Sequence, residues 1–182
     1  MTDRVQIVLG TKRFLKTFFN SEQTPLLLMK PLAKGQNYGL LDVHGQVRFA
    51  APMVYDPLAM GGDIQDQGFI QLAYFRLTDD EAPVFIDQFK ALLKQREQLQ
   101  GNLALGLLVK KAKERDYLVI SQWERTLDVF ASKSTPLWQP VNKFAERAAK
   151  GLGYHDANYQ VISPNAPDTD DEQAQAATSA TN

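Results

Sequence analysis

Short apolar runs separated by turn-forming residues dominate the first 65 residues, and this pattern predicts short β-strands. The runs VQIVLG, PLLLMK and YGLLDV are rich in branched aliphatic residues and are strand-like. The stretch DVHGQVRF predicts a hairpin whose turn is made by His44 and Gly45. Thr11 is a candidate N-cap for a short helix, KRFLKTFF. One face of that helix carries Phe14, Leu15, Phe18 and Phe19.

Proline and paired glycines interrupt the pattern after these strands. Pro52, Pro57 and the pair Gly61-Gly62 lie close together, and such residues are typical of turns and domain boundaries. We therefore predict a boundary within residues 56–66. It separates a strand-rich N-terminal region, residues 1–65, from a second domain, residues 66–162.

The second domain begins with a strand and a long amphipathic helix. GFIQLAYFRL is the strand. TDDE has the form of a capping box, but Thr78 as N-cap would place Pro83 at the fifth helical position, where the backbone N–H is needed. We therefore predict a helix from about Asp80 to about Gln100, followed by Gly101 as the C′ residue. Its buried face consists of Phe85, Phe89, Leu92 and Leu99.

The remaining elements complete a ferredoxin-like order. LALGLLV and YLVISQW are predicted strands, and a helical region interrupted at Pro136 follows them. YHDANYQVI returns as a last strand. Strand-helix-strand-strand-helix-strand is the split βαβ order of α+β proteins.

Both faces of LALGLLV are apolar. A four-stranded sheet of this kind has helices on one face only, so its other face needs a cover. A second copy of the sheet is one such cover, and we predict a homodimer in which two subunits form an α+β barrel.

Composition and charge exclude several classes of site. The chain has no cysteine, which excludes disulfides, thiolate metal sites and a cysteine nucleophile. The net charge is −1, which gives no global attraction to nucleic acid or to a membrane surface. The N-terminal stretch lacks the layout of a signal peptide and no run approaches the ~20 apolar residues of a membrane span. We therefore predict a cytoplasmic protein.

The last 20 residues, from Ser163, differ from the rest of the chain. They contain four acidic residues, no basic residue and no aromatic or branched aliphatic residue. Such a segment buries too little apolar surface to offset its ordering entropy. We predict that residues 163–182 are a disordered acidic tail.

Polar clusters offer little catalytic chemistry of their own. Asp79, Asp80 and Glu81 are best explained as charges at the positive end of a helix dipole. The basic run KKAKERD has no interleaved aromatic residues and is interpreted as a solvated hairpin tip rather than a nucleic-acid site. The sequence has no phosphate-binding glycine loop, no zinc-ligand spacing and no Ser-His-Asp grouping that its two histidines could support.

Several segments together resemble the antibiotic biosynthesis monooxygenase (ABM) superfamily. The strand YLVISQWE, then Val129-Phe130, then Ser134 at the helix break carry the likeness in the second domain. GTKRFLKTF, LLLMK and HGQVRFAAPMVYDPL in the first 65 residues resemble the extra N-terminal region of two-part haem-degrading monooxygenases and the related TRAP-like proteins. The resemblance implies a ferredoxin-like subunit that pairs into a dimeric α+β barrel.

Haem-degrading members of that family use three side chains. An Asn on the first barrel strand hydrogen-bonds near the reactive carbon, a helix Trp distorts the porphyrin, and a His ligates the iron. By resemblance these positions correspond to Ala73, to Ser132 (or Ala131 with a one-residue gap) and to Val141. None of the replacements can perform the family role, so haem degradation in the family's manner is not expected.

Other residues are candidates for lining a pocket. Phe89 lies on the buried helix face, and Trp123 at a strand end is interpreted as a core residue or a pocket wall. Trp138 lies three residues before Val141, on nearly the same helix face, and is predicted to fill the space a cofactor would take. His155 is the remaining candidate for binding haem iron, while His44 is assigned to its turn.

Two functions from different classes stay open on this sequence. One is an ABM-type monooxygenase, using haem in an altered pose or oxidising a small aromatic molecule without a cofactor. The other is a non-catalytic dimer that binds a small hydrophobic or aromatic ligand or a partner, as in the TRAP-like resemblance. Fold alone does not decide between them.

Overall fold

The computed structural model describes residues 4–20, 25–110, 113–151 and 153–167. Within these ranges the chain forms an α+β fold of eight strands and four α-helices. The strands are β1 Val5–Gly10, β2 Leu26–Pro31, β3 Tyr38–Asp42, β4 Met53–Gly62, β5 Phe69–Arg76, β6 Asn102–Lys110, β7 Lys113–Trp123 and β8 Tyr154–Ile162. The helices are α1 Lys12–Lys16, α2 Glu81–Leu93, α3 Thr126–Lys133 and α4 Gln139–Lys150, with 3-10 turns at Thr17–Asn20 and Arg96–Gln98.

The strands form one closed antiparallel barrel. Around the barrel the order is β1-β3-β2-β8-β5-β7-β6-β4, and β4 pairs again with β1. The N-terminal strands meet the C-terminal strands along two seams, β2 with β8 and β4 with β6. Closure removes exposed sheet edges from the described strands.

Three hydrophobic layers follow from this architecture. The barrel interior is filled by residues from both halves, among them Ile7, Met29, Leu72, Leu118 and Ile120. Outside the C-terminal strands, α2, α3 and α4 cover a second layer that includes Phe85, Phe89, Leu107, Val119 and Phe144. Outside the N-terminal strands, α1 covers a third layer around Leu15, Leu28 and Leu40.

The ferredoxin-like order of the second domain is confirmed, and so is the two-sided burial of β6. Leu105 and Leu107 pack under the helices, whereas Leu108 packs inside the barrel. The cover of the inner face, however, is the N-terminal half of the same chain. The barrel is therefore intramolecular, and the expectation that two subunits are needed to build it is wrong. The homodimer itself stays a prediction.

The predicted hairpin after β3 is wrong, although its turn exists. Gly45 has a φ of +61°, but residues 46–50 form no strand. The fully buried carboxylate of Asp42 accepts hydrogen bonds from the backbone N–H groups of His44, Gly45 and Val47 at 2.8–2.9 Å. One side chain thus satisfies the backbone groups that a second strand would have bonded.

The predicted interruption at Pro57 and Gly61-Gly62 is also wrong, because β4 runs through all three. The register between β4 and β6 shifts between Pro57 and Ala59, a bulge that accommodates the missing proline N–H. The division near residue 65 falls between β4 and β5, and strands on both sides of it belong to the same barrel.

Helix α2 begins as predicted and ends earlier. The capping box that the sequence argument excluded is present: the Thr78 N–H donates to Glu81 Oε2 at 3.1 Å, and the Glu81 N–H donates to Thr78 Oγ1 at 3.3 Å. The regular helix starts only at Glu81, so Pro83 still falls in the first turn. The helix ends at Leu93 rather than near Gln100, and Gly101, with a φ of +71°, follows a 3-10 turn.

The start of the predicted acidic tail is attached to the N-terminal half. The buried Lys12 Nζ donates to the carbonyl oxygens of Ala166 at 3.0 Å and Pro167 at 3.4 Å. Residues 163–167 are therefore held in place, while residues 168–182 lie outside the described residues. Among the described helices, none has the length and apolar character needed to cross a membrane.

Candidate functional site

The family positions lie on the outer face of the C-terminal sheet, beneath the helices. Ala73 on β5 and Val141 on α4 belong to the same hydrophobic layer. Ser132 on α3 is also buried, and its hydroxyl donates to the Val129 carbonyl oxygen at 2.9 Å. The three are 4–6% exposed, so each side chain is enclosed by protein.

Two tryptophans fill the middle of this layer. Trp123 ends β7 and Trp138 immediately precedes α4, and their rings meet edge to face with centroids 5.9 Å apart. Both are buried, at 0% and 3% exposed. Edge-to-face packing is a favourable aromatic geometry. The burial of Trp138 beside Trp123 is what its predicted space-filling role requires, and Phe89 extends the same layer on the α2 side.

Polar groups lie at one border of the layer, around Asp156. Its Oδ2 accepts hydrogen bonds from Gln71 Nε2 at 3.2 Å, from Tyr154 Oη at 3.1 Å and from Lys133 Nζ at 3.4 Å. Asp156 is the register partner of Ala73 on the neighbouring strand. Burial, followed by the Asp156 charge, raises the pKa of Tyr154. Sequence analysis missed this cluster, although Gln71 stands out as the polar residue inside an apolar strand.

Two further polar atoms of the layer are buried without a partner. Ser121 Oγ and Trp123 Nε1 make no hydrogen bond within the described part of the chain. Ser121 is the register partner of Gln71, whose amide donates to Asp156 and Asn158. The layer is therefore apolar around the tryptophans and polar along its β5–β7–β8 side.

The residues at this site do not fit a haem. Iron in haem proteins is held by His, Cys, Met or Tyr, and Val141 presents only an aliphatic side chain. Ala73 has no group that donates a hydrogen bond. In the described ranges, no group of three or more His, Asp or Glu residues forms a metal site.

His155 lies on the opposite side of the sheet. Its ring stacks on Tyr74, with centroids 4.4 Å apart and planes 11° from parallel. Side chains alternate along a strand, so His155 and Asp156 face opposite sides of β8. His155 therefore does not join Ala73, Ser132 and Val141, and it lines a separate pocket at the mouth of the barrel.

That barrel-mouth pocket has a volume of about 620 Å³. Tyr55, Tyr74 and Tyr159 extend into it from β4, β5 and β8. The pKa of Tyr55 is raised to about 12 by burial and then by the charge of Asp116. Burial also raises the pKa of Tyr74 and of Tyr159, and for Tyr74 the other two phenols add to the effect.

The other end of the barrel is closed. The fully buried Gln122 donates through Nε2 to the carbonyl oxygens of Gln65 and Gln67, both at 2.7 Å. Its Oε1 accepts the Gln65 N–H at 2.7 Å. One glutamine thus ties the β4–β5 connection across that end, and the tyrosine end is left open.

Comparison with known proteins finds a matching family and solved structures with a similar fold. Residues 68–143 match the antibiotic biosynthesis monooxygenase family. A ferredoxin-fold protein of Listeria monocytogenes related to antibiotic biosynthesis monooxygenases superposes with a TM-score of 0.77 at 21% identity, covering 89% of this chain and 95% of that one. LmHde, a heme-degrading enzyme of the same organism, superposes with a TM-score of 0.73 at 19% identity, covering 87% and 99%.

A third solved structure has a different role. A major regulator of staphylococcal pathogenesis superposes with a TM-score of 0.74 at 15% identity, covering 88% of this chain and 99% of that one. All three likenesses concern the fold of nearly the whole chain. Within that fold, the match to the antibiotic biosynthesis monooxygenase family covers residues 68–143 of this protein.

Proposed function

We propose that this protein is a non-catalytic binding protein built on the ABM fold, and that it does not degrade haem. The observation that carries the proposal is the filled layer beneath α3 and α4. Trp123 and Trp138 pack edge to face there, and Val141 is buried in the same layer.

The side chains at the family positions support this proposal. Ala73 offers no hydrogen bond to a bound oxygen, and Val141 offers no lone pair to iron. The hydroxyl of Ser132 is already engaged with the Val129 carbonyl oxygen, and serine lacks the volume to press on a macrocycle. All three side chains are buried from solvent, and none of them supplies a group for oxygen activation or iron binding.

The solved structures with this fold support both classes of function. One is a heme-degrading enzyme and another is a regulator of staphylococcal pathogenesis. Because one fold serves both, the decision rests on the site residues. These favour binding over catalysis.

A hemin titration of the purified chain tests the proposal. We expect a broad Soret absorbance that rises without saturation, because Val141 offers iron no ligand at the family position. A sharp, stoichiometric Soret band that decays with ascorbate and oxygen would overturn the proposal.

A gain-of-function variant tests the assignment of the positions. We expect Ala73→Asn combined with Val141→His and Trp138→Ala to introduce saturable hemin binding, because the set restores a donor and an imidazole and removes the ring that fills the layer. The matched control replaces Val141→His by Lys143→His, which adds an imidazole to an exposed position of the same helix. Equal binding by the two triple variants would show that the layer is not the site.

A further inference from the structure

The barrel-mouth pocket is a built cavity rather than a packing gap. Eight-stranded barrels are either filled by side chains or wide enough for one small ligand. Here the interior is filled by aliphatic residues at the level of Leu72, Leu118 and Ile120, and it opens into about 620 Å³ at the tyrosine level. Small-molecule sites commonly have volumes of about 300–1,000 Å³.

Three phenols supply hydrogen-bond donors inside the pocket. Among the described residues, none is a hydrogen-bond partner for the hydroxyls of Tyr55, Tyr74 or Tyr159. Phenols are protonated at neutral pH, and burial raises the pKa of all three further. A ligand that offers acceptor oxygens therefore takes hydrogen bonds from donors that no described protein atom occupies.

The charges around the pocket leave a cation available. Arg76 is engaged with Asp116, Nε to Oδ1 at 2.9 Å, and Asp156 is engaged with Lys133. Lys110 also lines the pocket and is the register partner of Tyr55 on the adjacent strand. The structure gives Lys110 no ion pair within the described ranges.

An aromatic wall completes the pocket. Tyr74 and His155 stack nearly in parallel, and both line the pocket. Met53, Leu9 and Ala157 add apolar contacts. Flat aromatic surfaces favour planar aromatic ligands, which stack with an offset.

We propose that the mouth of the barrel binds a small planar aromatic carboxylate. Its ring lies against Tyr74 and His155, and its carboxylate lies toward Lys110 and the tyrosine hydroxyls. This inference rests on the proposed binding function and names its site and ligand class. Tyr55, Tyr74 and Tyr159 face the barrel interior, whereas Ala73 and Val141 belong to the layer on the other side of the sheet.

Calorimetric titration of the full chain with naphthoate tests the proposal. We expect one naphthoate per chain, with binding about tenfold or more weaker in Lys110→Met because a charge-assisted contact is lost. Lys143→Met, which removes an exposed lysine on α4, is the matched control and is expected to leave the affinity unchanged. Naphthalenemethanol, the uncharged analogue, is expected to bind more weakly and equally well to the wild type and to Lys110→Met.

Two further variants keep the test decisive. Ala157→Phe fills the pocket and is expected to abolish naphthoate binding. If that variant does not fold, Tyr74→Phe keeps the ring, removes one donor and is expected to weaken binding. The proposal is overturned by absence of naphthoate binding to the wild type, by unchanged binding in folded Ala157→Phe, or by unchanged binding in both Lys110→Met and Tyr74→Phe. Equal affinity for the alcohol overturns the assignment to an anion.

The two proposals fail separately. Stoichiometric haem binding that turns over overturns the proposed function and is read from the Soret band. Missing or pocket-independent naphthoate binding overturns this inference alone.

Discussion

At the scale of single residues, the buried phenols of the barrel mouth link stability to alkaline pH. Burial, followed by the charge of Asp116, raises the pKa of Tyr55 from 10.0 to about 12 in the folded chain. Above pH 10 the unfolded chain releases this proton while the folded chain retains it. The free energy of unfolding therefore falls as pH rises from about 10 to about 12.

We expect the wild type to lose stability steadily through that pH window and Tyr55→Phe to lose less. Phenylalanine has no proton to release, so the contribution of residue 55 to the pH dependence of the free energy of unfolding disappears. Urea unfolding followed by circular dichroism at a series of pH values measures this, and each protein's own value near neutral pH serves as its reference. A Tyr55→Phe curve that declines as steeply as that of the wild type would contradict the assignment.

Residue identities at the site were predictable only in part. The resemblance assigned Ala73, Ser132 and Val141 to the family positions, and the structure shows that all three are buried. The tyrosine pocket was missed because Tyr55, Tyr74 and Tyr159 lie on three strands far apart in the chain. Strand periodicity gives the face of each residue but not which strands become neighbours.

At the scale of elements, the start of α2 shows that the position of Pro83 did not justify excluding a capping box at Thr78. Reciprocal hydrogen bonds between Thr78 and Glu81 cap the helix, and the helical hydrogen-bond pattern begins late enough to tolerate Pro83. Side chains also replaced regular pairing after β3, where Asp42 holds the turn. Hydrophobic periodicity predicts helices and strands well, because burial of one face imposes a regular spacing on apolar residues. It does not show where a side chain, rather than another strand or helical turn, hydrogen-bonds the backbone.

We expect Thr78→Ala to lower the free energy of unfolding by about 1 kcal/mol, because the helix loses a side-chain cap. Urea unfolding measures the change. Thr126→Ala is the matched control: it changes the first residue of α3, where no side chain caps the helix, and its expected effect is below about 0.5 kcal/mol. Equal losses in the two variants would indicate that the capping bonds add no stability.

At the scale of the whole molecule, the barrel joins the halves that the sequence separated. The sequence showed that both faces of β6 are buried, but burial does not identify the covering group. The cover is β1 to β4 of the same chain rather than a second chain. A partner sheet and an internal sheet have the same apolar pattern, and only the tertiary structure distinguishes them.

Separate expression of residues 1–65 and 66–182 tests this arrangement. We expect the C-terminal fragment alone to self-associate, because Ile70, Leu72 and Ile120 lose their cover. Mixed fragments are expected to form a one-to-one complex through the β2–β8 and β4–β6 seams. Size-exclusion chromatography with light scattering measures both, and Ile120→Lys is expected to weaken both associations. A C-terminal fragment that stays monomeric and does not bind the N-terminal fragment would contradict a barrel formed by both halves.

Closure by a single chain also frees the barrel from a constraint of symmetry. When two identical subunits build a barrel, the two-fold axis repeats every interior residue, so an opening lined by one subunit has a copy lined by the other. Here Gln122 ties the connection across one end, while tyrosines line a pocket at the other. The two ends therefore differ, and one substitution alters the tyrosine end without an unwanted copy elsewhere.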